Sequence, residues 1–424
     1  MAFGVTDTIV AGRYAESSLA ALSVASAIYM SVYIALMTGI QALMPIWSEL
    51  QGSKQYALLG QSFRQALYVC LIATIIGMSI LFNPGALLDW GQVPQNLRPE
   101  IINYLRLLAF ALPAALLFRM YSTLNQSLGK PMLVTWLQIG SLAIKIPLSI
   151  LLTFGTPGIE PMGVAGCALA TLIVNYAMLA TAIWMLQTRR IYQPYRLWES
   201  LEKPCWATIA TFARLGIPAG LAILVEVTSF TLMALFIARL GTVAAASHQI
   251  AANLAAVMYM MPLAIGIASS SRVSFWLGAG QPAKAQRVIK LAFMLSLGTS
   301  LLLCAALLAS RPMLAEIYAR SPEVIALTVT LLGWVAVFMV FDSLQAVGLF
   351  ILRCFRITVF PLAVYCVLLW GLGLYGGYLL AYEGIGSFKA MQMPAAFWMT
   401  NSLALAATTV IFWLMLVTLT NKKQ

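Results

Sequence analysis

Residues 324–350 read VIALTVTLLGWVAVFMVFDSLQAVGLF, an unbroken apolar run whose single charge is Asp342. A helix of that length rises about 40 Å at 1.5 Å per residue, more than the ~30 Å hydrocarbon core of a bilayer. Such a run is a membrane span rather than the buried helix of a water-soluble domain. Ten more runs of the same kind lie at 18–47, 65–88, 101–125, 132–154, 163–187, 206–238, 242–277, 288–309, 358–381 and 394–419. Composition agrees, with 62% of residues in the hydrophobic set and 9% charged. A soluble domain carries roughly 45–50% apolar and about 25% charged residues, so no water-facing surface can be built from this chain.

Ahead of these runs Met1–Ala11 is also apolar. Eleven residues rise only about 16 Å, half of the hydrocarbon core. The segment reads as the back half of a first helix, and it lacks the basic leader of a signal peptide. We therefore expect a start late in that helix, whether by truncation or at an internal Met. The expected fold is all-α: twelve transmembrane helices in two six-helix lobes, with helix 1 incomplete.

The 25 Lys+Arg against 13 Asp+Glu leave +12, which in a soluble protein would suggest nucleic acid. Here the cations divide unevenly between the two sets of loops: sixteen, including Arg64 and Arg353, fall on the linker and C-terminal side and seven on the other. That excess marks the cytoplasmic side, so the charge sets topology and nucleic-acid binding is not expected. Six cysteines, Cys70, Cys167, Cys205, Cys304, Cys354 and Cys366, show no C-x-x-C spacing, and most sit in apolar runs. No disulfide, cysteine–histidine metal cluster or cofactor is expected. With His248 as the single histidine, most enzyme classes fall on inventory alone. No G-x-x-x-x-G-K-[ST] sequence is present, which disfavours ATP-driven transport within this chain.

The longest polar break is Arg189–Lys203, RRIYQPYRLWESLEK. It suggests an N-terminal lobe at 1–188, a linker at 189–204 and a C-terminal lobe at 205–424. Sliding the second half back by 226 places Arg239 on Arg13, Ser247–Ala251 on Ala21–Ala25 and Arg356 on Lys130. A constant offset points to duplication, and six helices per half give parallel repeats of the kind that line a central substrate path.

A carboxylate inside a spanning helix is costly unless it faces a cavity or a partner, so each is a candidate for function. Glu226 lies 12 residues beyond Arg214 and Asp342 11 before Arg353. Those separations, about 18 and 16.5 Å along a helix, put both acids near mid-membrane in the second lobe. Two acids at one depth suit a monovalent cation or a shared proton. Asp7, in the other lobe, is a second candidate for a cation or proton. Lys145, in AIKIPL, is placed to pair an acid or repel cations. His248 is a possible titrating group near a helix start, and Asn175 a polar neighbour for Asp7. Aromatic and Met side chains are plentiful enough to hold apolar cations through their polarizable faces.

In combination these residues resemble the MATE (multidrug and toxic compound extrusion) family, in its NorM-type bacterial branch. Val5–Gly12 (VTDTIVAG) is similar to the first-helix motif, Leu215–Pro218 with Val225–Thr228 to the seventh, Ser247–Asn253 (SHQIAAN) to the eighth, and Phe341–Gln345 (FDSLQ) to the tenth. The resemblance implies a two-lobed exporter exchanging Na⁺ or H⁺ for hydrophobic organic cations, such as fluoroquinolones and cationic dyes, across the bacterial inner membrane. It implies that Glu226 and Asp342 bind the coupling cation, as a Na⁺ site if the protein is sodium-coupled, and that Asp7 is the first-lobe acid. A monomer with a cytoplasmic C-terminus is expected. Two departures stand out. Cys354 occupies the place of a usual Gly, and Phe338 stands where sodium-coupled members carry Tyr, which weakens a strict Na⁺ assignment. A lipid-linked oligosaccharide flippase of the same superfamily is the alternative; it would call for more intramembrane cations than Lys145 and Arg119.

Overall fold

The structure is a computed structural model that describes residues 2–14, 16–90, 93–155, 160–384 and 389–421. All regular structure among them is helical, as a bilayer requires of a chain that must satisfy its own backbone groups. The elements are α1 (Ala2–Tyr14), α2 (Glu16–Gln41), α3 (Met44–Gly52), α4 (Tyr56–Phe82), α5 (Gly85–Trp90), α6 (Arg98–Ser127), α7 (Pro131–Phe154) and α8 (Val164–Thr188). A short 3₁₀ turn, Arg190–Tyr195, precedes α9 (Trp206–Ala238), α10 (Thr242–Gly278), α11 (Pro282–Tyr318), α12 (Pro322–Cys354) and α13 (Val359–Tyr365). The chain then widens to π pitch over Cys366–Tyr375, tightens in α14 (Gly376–Tyr378), widens again over Leu379–Glu383 and ends in α15 (Ala395–Asn421).

Eleven helical segments are long and apolar enough to cross a membrane. Their bounds depart from the apolar runs for physical reasons. The span expected at 65–88 is Tyr56–Phe82, because Arg64, itself buried, is satisfied by Glu202 and the Arg196 carbonyl and Asn83–Pro84 stops the helix. The span expected at 288–309 extends to Pro282–Tyr318, with Pro at its first turn and a cationic start at Lys284, Arg287 and Lys290. The first π-pitched stretch contains Gly371 and Gly373, which offer no side chains to hold an α turn. There the Thr400 hydroxyl of α15 donates to the Gly373 carbonyl at 2.8 Å.

The offset of 226 residues recurs in the elements themselves. Shifted by it, the starts of α2 and α4 fall on the starts of α10 and α11, and Gly52, the end of α3, falls on Gly278, the end of α10.

Two compact units result, Met1–Gly220 and Leu221–Gln424. The division falls inside α9 rather than in the polar linker. The first half of α9 packs on α2, where a Cβ added to Gly216 would meet the Gly39 carbonyl oxygen at 2.9 Å. Such close helix approach through small residues is how membrane helices gain packing energy. The first unit centres on Trp47, Tyr104, Leu112, Leu116 and Tyr121, and the second on Tyr365, Phe397, Trp398 and Phe412.

The linker is not a loose tether. The Arg64 guanidinium, buried in α4, donates to both carboxylate oxygens of Glu202, at 2.5 and 3.2 Å, and to the Arg196 carbonyl. Gln65 holds Lys203 and Cys205 through its amide, Tyr68 donates to the Glu202 carbonyl, and Tyr195 donates to Gln51. Gly60 makes this docking possible: a Cβ there would lie 1.8 Å from the Tyr195 carbonyl oxygen. Gly60→Ala is therefore expected to lift the linker off α4. Tryptic cleavage at Arg189, Arg190 and Arg196 should accelerate about tenfold, the effect of ~1.4 kcal/mol lost from local docking; an unchanged rate would show that α4 yields instead. The hydrogen bond from Arg64 holds Glu202 below the usual carboxylate range. Its contribution to docking is thus present above the ordinary carboxylate value and lost as pH falls through the lowered one, and it is small because Glu202 is partly exposed.

Candidate functional site

In the first unit α1 brings Asp7 against Lys145 of α7. Lys145 is fully buried, and its ammonium donates to Asp7 Oδ1 at 2.6 Å, to the Thr171 hydroxyl at 2.7 Å and to the Cys167 carbonyl at 2.9 Å. All three of its N–H groups are thereby used, and its charge is matched by one carboxylate. Ser149 lies one turn along α7, with its hydroxyl 3.5 Å from the same Asp7 oxygen. The local sequence makes the arrangement possible. Gly166 lets α8 approach α7 so closely that a Cβ there would stand 2.6 Å from the Leu152 carbonyl group, and this brings Cys167 and Thr171 within reach of Lys145.

Asp7 and Thr171 open onto a cavity of about 530 Å³ within the same unit. Phe3, Tyr29, Met30, Tyr104, Phe118 and Met178 supply most of its apolar wall, and Ser26, Gln138 and Asn175 add polar groups. Tyr29 and Tyr33 stack face to face, with ring centroids 5.7 Å apart. Asn175 shares this wall with Asp7, as a polar neighbour across the cavity. A volume in the range of about 300–1,000 Å³, apolar walls and a few convergent polar groups are the features of a small-molecule site.

The second unit carries a different arrangement. Glu226 projects from α9 and has one carboxylate oxygen, Oε2, buried with no hydrogen-bond partner among the described residues. It feels the charges of both Asp342 and Arg353. Asp342 is buried in α12, and its Oδ1 accepts a 2.9 Å bond from the Gln345 amide nitrogen. The Tyr365 hydroxyl donates to the amide oxygen of Gln345, which fixes which end of that amide faces Asp342. Arg353 is 3% exposed, stacks over Phe350 at 4.7 Å and leaves Nε and one terminal nitrogen without a hydrogen-bond partner among the described residues.

Counting charges separates the two units. In the first, Asp7 and Lys145 sum to zero. In the second, neither Glu226 nor Asp342 forms an ion pair among the described residues and Arg353 acts on Glu226 only through space, so the site is negatively charged when both acids are ionised. A bare oxygen beside that charge suits a hard monovalent cation, which prefers oxygen ligands, or a proton.

Phe338 and His248 belong to neither charge cluster. Phe338 lies one turn before Asp342 and packs edge-on against Trp398 at 5.3 Å and Phe230 at 5.6 Å. His248 is buried against Trp398 at 5.7 Å, with Nδ1 lacking a hydrogen-bond partner among the described residues. The six cysteines are all free.

Sequence reasoning missed Arg353 and Arg64 by counting both with the loop cations. Both are buried in helix ends, and the excess on their side survives their removal. The signal for Arg64 was present in the linker, whose Glu199 and Glu202 had no other evident use. Gln345 and Tyr365 were missed because polar neutral residues in a span carry no charge penalty to draw attention. Arg119, the other intramembrane cation, is bonded to Gln41 at 2.5 Å.

Comparison with known proteins identifies the family. The MatE family model matches residues 1–151 and 218–379. The probable multidrug resistance protein NorM of Aromatoleum aromaticum is 34% identical over 418 residues, covering 98% of this chain and 90% of that protein. NorM of Idiomarina loihiensis is 31% identical over 420 residues, with the same coverage. Among solved structures, the eukaryotic MATE transporter AtDTX14 superposes with a TM-score of 0.86 at 20% identity, over 98% of this chain and 91% of that one. A MATE in the bent conformation gives 0.88 at 14% identity, over 99% and 92%. The fold, the order of the motifs and the family match lead to one conclusion: this chain belongs to the MatE family, on its NorM-type bacterial branch.

Proposed function

We propose that the protein is a secondary active exporter that exchanges Na⁺ or H⁺ for hydrophobic organic cations across the bacterial inner membrane. The observation that carries this reading is the negative charge in the second unit, where Glu226 Oε2 stands buried and unpartnered beside Asp342. A monovalent cation or a proton offsets the negative charge there. In the first unit the aromatic cavity beside Asp7 offers apolar faces and cation–π surfaces to a flat organic cation. Coupling requires that ion and drug be held with different affinity in states open to opposite sides of the membrane. The test is ethidium efflux from cells under imposed gradients. Efflux driven by Na⁺ at fixed pH, or by H⁺ in the absence of Na⁺, supports antiport and names the ion. Movement indifferent to both gradients overturns it and favours the flippase reading.

The orientation we propose places the linker and the C-terminus in the cytoplasm. Cys205, just ahead of α9, is exposed, and hydrogen bonds from Thr208 lower its thiol below the ordinary value. That makes it the most reactive of the six, since the thiolate is the nucleophile and Cys70, Cys167, Cys304 and Cys354 are buried. A membrane-impermeant maleimide is expected to label inverted vesicles and not right-side-out ones, with the signal lost in Cys205→Ser. The reverse pattern would invert the topology.

A further inference from the structure

We infer that the first unit is itself a proton exchanger, in which an organic cation that binds Asp7 expels a proton from Lys145. The inference rests on the export reading for its ligand class and goes beyond it in naming the proton's source. It follows from the neutrality of the Asp7–Lys145 pair. The ammonium and the carboxylate already match, charge for charge, at 2.6 Å. A cationic ligand that takes Asp7 from the cavity side leaves a second positive charge enclosed in the bilayer with no counter-charge. Lysine relieves that situation by losing a proton, which arginine does not do.

The exit runs through Thr171. Lys145 does not border the cavity, but the Thr171 hydroxyl that accepts its N–H at 2.7 Å does. In the proposed step an N–H bond of Lys145 breaks and its electron pair stays on Nζ; the Thr171 hydroxyl, which donates to the Cys167 carbonyl at 2.9 Å, turns to give its own proton to cavity water as it takes the one from Lys145. The ligand's positive charge then replaces the departed one beside Asp7, and the total charge of the site is unchanged. On the elements packed against the pair, the other titratable groups are Tyr104 of α6, Cys167 of α8 and Tyr29 of α2. None of them is a cation that could take over as counter-charge to Asp7. The Cys167 carbonyl, 2.9 Å from Nζ, remains to hold the neutral amine.

The experiment uses the full-length protein carrying Glu226→Gln and Asp342→Asn, so that no proton can come from the second unit. Tetraphenylphosphonium, a permanent cation with no proton of its own, is added in weakly buffered detergent solution containing a pH indicator, and bound ligand is counted by equilibrium dialysis. About one proton released per bound cation is expected, falling to none when Lys145→Arg is added, because a guanidinium keeps its charge. Binding without release, release that persists in Lys145→Arg, or absence of binding in this background would each overturn the proposal. A second readout needs no change at Lys145. Tetraphenylmethane, a neutral molecule of the same shape, brings no second positive charge and should bind without releasing a proton; release of about one proton per bound molecule refutes the step. If these fail while the unaltered protein still couples ethidium efflux to a gradient, export stands and only the role of Lys145 falls.

Discussion

Glu226→Gln alone is expected to reduce gradient-driven ethidium efflux by at least about tenfold, equivalent to ~1.4 kcal/mol of coupling free energy. Sharing of the ion between two acids gives the reason. With Glu226 neutral, the site keeps one of the two buried carboxylates that would share an ion, and the hold on that ion is lost. Asp342→Asn removes the other carboxylate and should produce the same loss, so the double variant should be hardly worse than either single one. That near-equality is the sharper part of the prediction, because two independent contributions would instead multiply. Efflux measured with matched expression decides it. Export that persists unchanged in the double variant would remove the second unit from the coupling mechanism altogether.

The second large effect is on stability. Lys145→Met leaves Asp7 buried beside Cys167 and Thr171 with its counter-charge gone, and breaking a buried pair from one side costs about 3–5 kcal/mol. The variant should lose its monodisperse fraction at a markedly lower temperature in detergent. Asp7→Asn combined with Lys145→Met removes both charges and should recover most of the loss, since an apolar or neutral replacement of a buried pair is often close to neutral. If the double variant is as unstable as the single one, packing of the lysine stem rather than its charge sustains this part of α7.

Much of this fold was legible because a bilayer leaves a chain few options. Eleven long apolar runs become helices whatever their details, and the depth of Glu226 and Asp342 follows from counting residues to the nearest charged helix end. The pairing of Asp7 with Lys145 was legible only as one option among several. It joins groups 138 residues apart, and nothing local to either selects the partner. The burial of Arg353 was hidden for a related reason: a cation in the last turn of a helix looks the same in sequence whether it points to water or folds back over Phe350. The docked linker depended on Gly60, whose role is an absence of atoms and leaves no chemical signature.

The register of 226 residues has a consequence for how such a protein can change. Carried across it, Asp7 falls on Met233, Lys145 on Gly371, Asp342 on Leu116 and Gln345 on Arg119. The two copies of one ancestral bundle kept the same helices and share none of these functional side chains. Duplication freed each copy to specialise, as paralogous genes do, but within a single polypeptide. A population challenged by a new toxic compound can therefore accumulate substitutions around Tyr29, Phe118 and Asn175 without touching Glu226 or Asp342. On the proposed reading, breadth of resistance can change while the charged groups that serve the ions stay fixed.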